Sequence, residues 1–472
     1  MKGRKAPFFI LSPIFVRPMK NVFKLFVFFI FLLFASHVVL AAYERKVAVL
    51  DLTVRNSETG LSRIRSCRHI LQTAGLPYVE TMDVAEAIQY PVIVISPVIY
   101  SYTFTSSEKT LLTNYVNQGG ILIASSLRDP ELYPLFGVSG FTNYTNITSM
   151  TWDVQGYPDY FDRFDDPNEI TISLRGESSS SETFTIRPYT IVGAAQNLAT
   201  LNNGTNGLVM NTFGQGRTFL FAIDLRDVII RNQINSDINA QRSYSNGFEP
   251  TSDAFIFFIS NVITQHIPFI PRVHTCPDCE SSVVMITHDV DSRTAMDSMS
   301  VFIDYEEQHD LHAMYNITTR IYDDEWMSDF YIGTYNQVHY AKLHGQKLAS
   351  HSLGHFIDFA DVNLFPLGTL GNTPSNYMPL YFNGLTSGGS VFGETEVSKY
   401  LLEQDHGVQI KSFRAGHLAY NKRLPKALTD LGYLYNSTFS ANDVLTNFPF
   451  YTTENLAFSG QQMPVLEIPM TI

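Results

Sequence analysis

Apolar runs alternate with helical patterns along the first part of the chain. The runs at residues 46–54, 91–97 and 121–124 have the length and β-branched content of buried strands. An amphipathic segment at residues 61–74 and a helical pattern at residues 108–117 lie between them. Buried strands that alternate with helices predict a parallel α/β sheet.

A more irregular β section is predicted next. Residues 151–220 are richer in Thr, Ser, Gly and strand-forming residues than the segments before them. The segment from Gly204 to Asp224 contains apolar runs that indicate a return to the sheet. We therefore predict one α/β domain over residues 43–261.

Prolines mark a boundary at residues 262–280, and units of about 30 residues follow it, each with a strand pattern before a helical pattern. This repeat predicts a βα barrel or a doubly wound sheet over residues 281–472. Its predicted strands are residues 283–287, 312–318, 346–350, 412–415, 433–438 and 466–471.

The N-terminal 42 residues have the features of an export signal. Leu25 to Ala42 is apolar apart from Ser36 and His37, and basic residues precede it. If the chain were initiated at Met19, the basic segment before the apolar run would have a more typical length. The alternative is an uncleaved membrane anchor, because about 18 apolar residues can just span a bilayer. Both interpretations predict that the rest of the chain is exported.

Charge excludes one class of partner. The first 42 residues hold six of the 32 basic residues and no acid, so the remainder carries 26 basic and 45 acidic side chains, a net charge of −19. A chain this acidic repels phosphate backbones, which argues against a nucleic-acid partner.

Three cysteines are present. Cys276 and Cys279 form a lone CxxC, and a local disulfide is the preferred interpretation in an exported chain. Cys67 lies in a helical pattern, where a buried structural cysteine is common.

Two carboxylates end the first predicted strand of the second half. In the run Thr287-His-Asp-Val-Asp, Asp289 and Asp291 alternate, so both point to one side of an extended chain. Two acids on one side favour a cation between them. The alternative is an acidic pair that caps the next helix.

Two histidines follow the third predicted strand, in the run Ser-His-Ser-Leu-Gly-His. The spacing of His351 and His355 places both imidazoles on one face of a helical turn. Alone they could be ordinary histidines at a helix start. Together with a carboxylate they make a three-ligand metal site that leaves room for water, the arrangement of hydrolytic centres.

An arginine follows the fourth predicted strand, in the run from Phe413 to Asn421. Arg414 could pair with a catalytic carboxylate and keep it ionised, or it could form a surface ion pair. His417 could donate a proton, contact substrate or simply pack. The residues leave these alternatives open.

Together these runs resemble the NodB-homology polysaccharide deacetylases, the fourth family of carbohydrate esterases, over about residues 280–472. His-Ser-Leu-Gly-His matches the second motif of that family residue for residue. Thr-His-Asp-Val-Asp is similar to the first motif, and Phe-Arg-Ala-Gly-His to the third. Gly432 to Phe439 resembles the strand that usually reads Tyr-Asp-Ser-Ser, with Asn436 in place of the acid.

This resemblance implies a set of roles. Asp289 would be the general base, oriented by Arg414, and Asp291, His351 and His355 would bind a divalent metal, usually zinc. The metal would polarise water and the amide carbonyl of an N-acetyl sugar. The expected partner is an N-acetylated polysaccharide or peptidoglycan.

The sequence departs from the family at its end. The last motif of the family carries a histidine that protonates the leaving amine, and this sequence has no histidine after His417. We therefore expect an incomplete (β/α)7-type barrel, a truncated or degenerate domain, with His288 and His417 as weaker substitutes for the acid.

The first domain is similar in layout to the class I glutamine amidotransferases, which have a flavodoxin-like parallel sheet. Such an enzyme needs a cysteine at a sharp strand-to-helix turn, and the candidate turn here carries Ser96-Pro97. We predict that this domain is non-catalytic.

The sequence thus predicts an exported metal-dependent deacetylase of a cell-surface or extracellular polysaccharide. A zinc amidase that acts on another acyl amide is the first alternative. A non-catalytic, degenerate module that binds glycan is the second. Aromatic residues between Tyr322 and Tyr335, including Trp326, Phe330 and Tyr331, could stack on sugar rings, although loop packing is the preferred interpretation.

Overall fold

Two large β-sheets organise the protein. The computed structural model describes residues 45–52, 60–97, 103–174, 185–234 and 248–471. The predicted leader at residues 1–42 lies outside the described residues. Among the helices described, none is both long enough and apolar enough to cross a membrane.

The first sheet has nine strands, in the order β2-β1-β3-β4-β11-β10-β9-β6-β7, and β5 and β8 form a separate pair. The strands are β1 Val47–Leu50, β2 Tyr78–Thr81, β3 Val92–Ile95, β4 Ile121–Ser125, β5 Val138–Phe141, β6 Ser149–Trp152, β7 Thr171–Ser173, β8 Tyr189–Ile191, β9 Gln196–Leu201, β10 Asn206–Phe213 and β11 Gly216–Phe221.

Only half of this sheet is parallel. Strands β2, β1, β3, β4 and β11 are parallel, whereas β11, β10, β9, β6 and β7 pair in antiparallel order. The prediction of a parallel α/β sheet is confirmed for the first half and is wrong for the second. A two-residue turn at Gly214-Gln215 joins β10 to β11, and so short a connection enforces antiparallel pairing.

Seven helices accompany the first sheet in the described residues. They are α1 Gly60–Thr73, α2 Val84–Ala87, α3 Ser106–Asn117, α4 Tyr133–Phe136, α5 Pro167–Ile170, α6 Leu225–Ile234 and α7 Thr251–His266. Thr105 and Glu108 form a capping box that begins α3, because each side chain satisfies a backbone N–H group of the other.

Two residues of this domain bear on its predicted lack of activity. Cys67 is fully buried in α1, as predicted, and burial raises the pKa of its thiol to about 12. Ser96, which stands at the turn where an amidotransferase would carry its cysteine, accepts a hydrogen bond from the Leu52 N–H at 3.1 Å. Its hydroxyl thus links the loops that follow β1 and β3.

The second sheet has seven strands, in the order β12-β13-β14-β17-β18-β20-β19, and β15 and β16 form a separate hairpin. The strands are β12 Ile286–Val290, β13 Ala313–Ile317, β14 Lys347–Ser350, β15 Leu380–Phe382, β16 Leu385–Ser387, β17 Ser412–Phe413, β18 Tyr435–Asn436, β19 Phe450–Thr453 and β20 Gln462–Glu467.

All pairs of this sheet are parallel except β19 with β20. Its helices are α8 Arg293–Gln308, α9 Tyr335–Leu343, α10 Val391–His406, α11 Leu424–Asp430 and α12 Ala441–Val444. The predicted strand-then-helix repeat is confirmed. In the described residues the sheet begins at β12 and ends at β19, so it is an open sheet.

The first strand of this sheet differs from the prediction. It begins at Ile286 rather than at residue 283, and Val283, Val284 and Met285 are all more than half exposed. The apolar run therefore placed the start of this strand three residues too early. No strand pairs with these three residues in the described part of the chain.

The two cysteines of the boundary segment do not form the predicted disulfide in this structure. Cys276 and Cys279 are free, and Pro277–Cys279 forms a single 3₁₀ turn. Asp278 and Cys279 both have positive φ angles.

The first and second halves of the chain contact each other at the start of α7. The buried carboxylate of Asp253 accepts hydrogen bonds from the Asn447 N–H at 2.9 Å and from the Asn447 side chain at 3.1 Å. The hydroxyl of Thr446 also donates to it. Burial raises the pKa of Asp253 to about 6.

Candidate metal and catalytic site

The candidate site lies at the carboxyl ends of strands β12, β14 and β17. Asp289 lies near the end of β12, His351 follows β14 directly and Arg414 follows β17 directly. Because β12, β13, β14 and β17 are consecutive parallel neighbours, their carboxyl ends converge at one edge. The strands thus bring together residues that are up to 125 positions apart.

Three side chains form a cluster that could hold a metal ion. Ligand atoms of Asp291, His351 and His355 all lie within 4.8 Å of one another. The Nε2 atom of His355 is 3.6 Å from the carboxylate of Asp291, and the two imidazole centroids are 5.0 Å apart. These are the three residues that the sequence predicted as metal ligands.

The histidines are oriented for this role. The Nδ1 atom of His351 lies 2.9 Å from the Arg414 carbonyl oxygen, which fixes Nδ1 as the protonated nitrogen and leaves a lone pair on Nε2. Both imidazoles are nearly fully buried, whereas Asp291 is partly exposed. One open side is what a hydrolytic site needs to admit water.

His355 is held in a strained position. Its φ angle is +53°, in the left-handed region that is costly for a non-glycine residue. Burial, followed by the neighbouring His351 and His417, lowers the pKa of His355 to about 2. A neutral imidazole in a buried N/O donor set fits a zinc-type cation.

Asp289 stands beside this cluster with partners of its own. Its Oδ1 atom accepts hydrogen bonds from the Arg414 guanidinium at 2.7 Å and from the Asn316 amide at 2.7 Å, and its Oδ2 atom lies 3.8 Å from Nε2 of His351. Burial raises the pKa of Asp289, but His351, Arg414 and these hydrogen bonds outweigh it, and the pKa is below its usual value.

Arg414 forms a bridge rather than a surface ion pair. It is buried, and its guanidinium also donates to the Thr287 hydroxyl at 3.0 Å and to the Ser437 carbonyl and hydroxyl at 3.1 and 2.9 Å. It therefore connects β12, β17 and the loop after β18. Sequence reasoning predicted its pairing with Asp289 and missed the Ser437 contacts.

The loop between the two histidines is clamped by residues that sequence reasoning missed. Arg320 is fully buried, donates to the Gly354 carbonyl at 2.7 Å and forms an ion pair with Asp324. Glu394 accepts a hydrogen bond from the Gly354 N–H at 2.8 Å, and burial raises its pKa to about 7. Neither residue lies near a motif, so the sequence gives no local signal for them.

His417 lies next to the metal cluster. Its ring centroid is 4.4 Å from that of His355 and 5.5 Å from that of Trp326, and Trp326 lies 5.4 Å from Tyr381. Burial, followed by the nearby His351, lowers the pKa of His417. Trp326 thus flanks the site.

The other aromatics of that segment pack in the core. Tyr322, Phe330 and Tyr331 are buried, so loop packing is the correct interpretation for them.

His288 lies away from the candidate site. Its Nε2 atom is 2.6 Å from the buried carboxylate of Glu306, and its ring stacks on Tyr315 at 4.7 Å. Side chains alternate along β12, so His288 faces α8 while Asp289 faces the histidine pair. The suggestion that His288 replaces the missing acid is therefore wrong.

A buried hydrogen-bond chain supports the loop after β17. Glu467 accepts from the Asn436 amide at 2.8 Å, Thr438 donates to Asn436 at 2.6 Å, and the Ala415 N–H donates to Thr438 at 3.0 Å. The Ala415 N–H is thus engaged. It is therefore not available to stabilise an oxyanion.

Comparison with known proteins gives distant structural likenesses. No protein-family model matches the chain, and no curated protein matches it in sequence. A Mycobacterium smegmatis protein described as a polysaccharide deacetylase is 15% identical, with a TM-score of 0.29 over 41% of this chain and 60% of that chain. A CE4 family pseudoenzyme from Bacillus anthracis is 11% identical, with a TM-score of 0.22 over 32% of this chain and 40% of that chain.

A β-galactosidase from Bacillus circulans gives a similar score. It is 15% identical, with a TM-score of 0.25 over 38% of this chain and 28% of that chain. The chain spans less than two thirds of each of these proteins. At such TM-scores none of the likenesses supports a functional inference, and we infer function from the side chains of the site.

Proposed function

We propose that this protein is an exported, metal-dependent deacetylase that hydrolyses the N-acetyl amide of a cell-surface or extracellular polysaccharide. One observation carries the proposal. A possible metal triad of Asp291, His351 and His355 lies beside a carboxylate, Asp289, that Arg414 holds ionised. A cation site next to an oriented base is the minimum machinery of metal-assisted amide hydrolysis.

In this proposal Asp289 is the general base. The hydrogen bonds from Arg414 and Asn316 fix the position of Oδ1, so Oδ2 is the atom that accepts a proton from water. Asp291, His351 and His355 would hold the cation through one oxygen and two imidazole nitrogens. When bound, a divalent cation would supply Lewis-acid polarisation of the water and of the amide carbonyl.

We infer a sugar substrate from the aromatic residues at the rim. Trp326 and Tyr381 are each partly exposed, and Trp326 is anchored by a hydrogen bond of 3.1 Å from its indole N–H to the His355 carbonyl. Aromatic faces that are fixed beside a polar site suit the apolar faces of sugar rings. His417, in contact with Trp326 and His355, would touch the same substrate.

Asp289→Asn tests the base. Release of acetate from a chitooligosaccharide and from a peptidoglycan fragment should fall by about 10²–10⁴-fold, the usual effect of losing a general base, while the bound zinc is retained. Asp297→Asn is the matched control, because Asp297 is an exposed carboxylate on α8. Unchanged release in Asp289→Asn would refute the assignment of the base.

The same assay separates the alternatives. Sugar binding without release of acetate by the zinc-loaded wild type would favour the non-catalytic glycan-binding module. Release of acid from a simple acyl amide, but from neither glycan, would favour the amidase. Fractionation of expressing cells tests export, and retention of the chain in the cytoplasm would contradict it.

A further inference from the structure

The carboxyl edge of the first sheet carries two arginines that lack anionic partners. Ser126 and Arg128 follow β4, and Arg187 hydrogen-bonds through its N–H to the Ala222 carbonyl just after β11. Strands β4 and β11 are parallel neighbours, so these residues lie at one end of the sheet. This is the end at which open α/β sheets bind ligands.

Arg187 is buried but only partly satisfied. It is 7% exposed, and its Nη1 atom donates to the Ser126 hydroxyl at 3.2 Å and to the Thr185 carbonyl at 3.3 Å. Its buried Nε atom has no hydrogen-bond partner, and within the described ranges its guanidinium forms no ion pair. An unpaired buried cation is costly, which calls for an anion.

Arg128 adds a second positive charge. Its buried Nε atom also lacks a hydrogen-bond partner, and its guanidinium lies over the Phe141 ring at 5.9 Å. Burial lowers the pKa of Arg187, and repulsion from Arg128 lowers it further. The two guanidinium groups are therefore close enough to disfavour each other.

The carboxylates around the pair already have cationic partners. Asp129, the residue after Arg128, pairs with Lys109 at 2.9 Å. Asp224 pairs with Arg63 at 3.5 Å. Neither carboxylate forms an ion pair with Arg128 or Arg187, although the charges of Asp224 and Asp227 partly offset the lowering of the Arg187 pKa by burial and by Arg128.

The backbone just before Arg128 is held by hydrogen bonds. Ser126 has a φ angle of +52°, and its N–H donates to the Phe221 carbonyl at 2.9 Å. The Tyr189 hydroxyl donates to the Leu127 carbonyl at 2.8 Å. A non-glycine residue in the left-handed region costs free energy, and such residues concentrate at functional sites.

We propose that Arg128 and Arg187, with the Ser126 hydroxyl, bind an oxyanion group of a small ligand at the carboxyl edge of the first sheet. Guanidinium groups match phosphate and carboxylate oxygens, and the two unpartnered Nε atoms supply donors that no protein acceptor uses. The site is independent of the proposed deacetylase chemistry, because none of its residues contacts the metal cluster.

Thermal unfolding of the full chain tests this proposal. Sodium phosphate and sodium glucuronate are titrated separately against sodium chloride at matched ionic strength, and the two arms distinguish a phosphate from a sugar carboxylate. We expect at least one anion to raise the wild-type Tm by roughly 5 °C at saturation. Arg128→Met and Arg187→Met should lose this rise.

The variants also separate ligand binding from a structural role. Without anion, Arg187→Met should have a Tm equal to or above that of the wild type, because it removes an unpaired buried charge. Arg68→Met is the control, since Arg68 already pairs with Glu80 at 2.6 Å, and it should keep the anion effect.

Three results would overturn the proposal. They are no rise in wild-type Tm beyond that in chloride, a rise that persists in both arginine variants, and an equal loss of the rise in Arg68→Met. If Arg187→Met fails to fold, Arg128→Met decides, because its side chain is only partly buried.

Discussion

The carboxyl edges of the two parallel sheets present opposite chemistry. At the second sheet, Asp291, His351 and His355 converge with no cationic side chain among them. At the first sheet, Arg128 and Arg187 converge with no carboxylate pairing to either in the described residues. We therefore propose that one edge binds a cation and the other an anion.

The comparison shows how little of this difference lies in the backbone. In both sheets, parallel pairing places the loops after neighbouring strands at one edge. In both, non-glycine residues with positive φ angles hold the loops, Ser126 in one and His355 in the other. The side chains alone decide which ligand each edge can accept, so function must be argued from the site.

The largest effect is expected from removing the imidazoles. The double variant His351→Gln, His355→Gln leaves one of the three predicted ligands. Zinc affinity, measured by competition with a chelator, should fall by more than about 100-fold, the upper range for losing an outer-shell partner. The anion-dependent rise in Tm should remain unchanged, because it belongs to the other sheet.

His309→Gln provides the control for this double variant. His309 is exposed at the end of α8 and contacts Tyr305, so its loss should leave zinc affinity unchanged. Zinc binding by the double variant at wild-type affinity would show that the ion is held elsewhere. If the double variant lost both zinc binding and the anion-dependent rise in Tm, the two edges would not act independently.

The two edges also differ in how far the sequence predicted them. The three candidate ligands lie in two short runs, so they could be identified from the sequence alone. The predicted helical turn over His351 and His355 is wrong, because this segment is a loop in which Ser352 and His355 have positive φ angles. Arg128 and Arg187 lie 59 positions apart in runs without a motif. Only the pairing of β4 with β11 brings them together.

Contacts between residues far apart in the sequence also explain which residues around the cation site were missed. Arg320, Glu394 and Asn316 act through contacts to Gly354 and Asp289 that span 27 to 40 positions. Strand patterns predicted the parallel half of the first sheet, because buried parallel strands are uniformly apolar. They predicted β structure over residues 151–220 but not its antiparallel pairing, which depends on connections rather than on apolar runs.

An intermediate effect is expected at Gly416. A Cβ atom at this position would lie 2.6 Å from the His355 ring, so Gly416→Ala must displace the imidazole. We expect a loss of about 1–3 kcal/mol in unfolding free energy, typical of overpacking, and roughly tenfold weaker zinc binding. Denaturant unfolding and zinc titration measure the two quantities.

Gly140→Ala is the matched control for Gly416→Ala. A Cβ atom at residue 140 meets no heavy atom within 4 Å, so both stability and zinc affinity should stay near wild type. Wild-type zinc affinity in Gly416→Ala would mean that the position of the His355 ring does not matter for the ion.

The smallest effect is expected from a carboxyl group beneath the cation edge. Glu467 is fully buried and accepts hydrogen bonds from the Tyr420 hydroxyl at 2.9 Å and from Asn436 at 2.8 Å. Burial raises its pKa from about 4.5 to about 8. Between these values the folded chain holds a proton that the unfolded chain has released, so this group makes stability fall as pH rises.

Glu467→Gln removes the charge and keeps the shape of the side chain. From about pH 5 to pH 9, the Tm of the wild type should fall by at least about 4 °C more than that of Glu467→Gln, with the metal-free chain used for both. Comparing the two proteins cancels the contribution of the site histidines, which titrate in both. If Tm changed with pH equally in both proteins, Glu467 would be ionised in the folded chain. A buried negative charge would then lie below the cation edge.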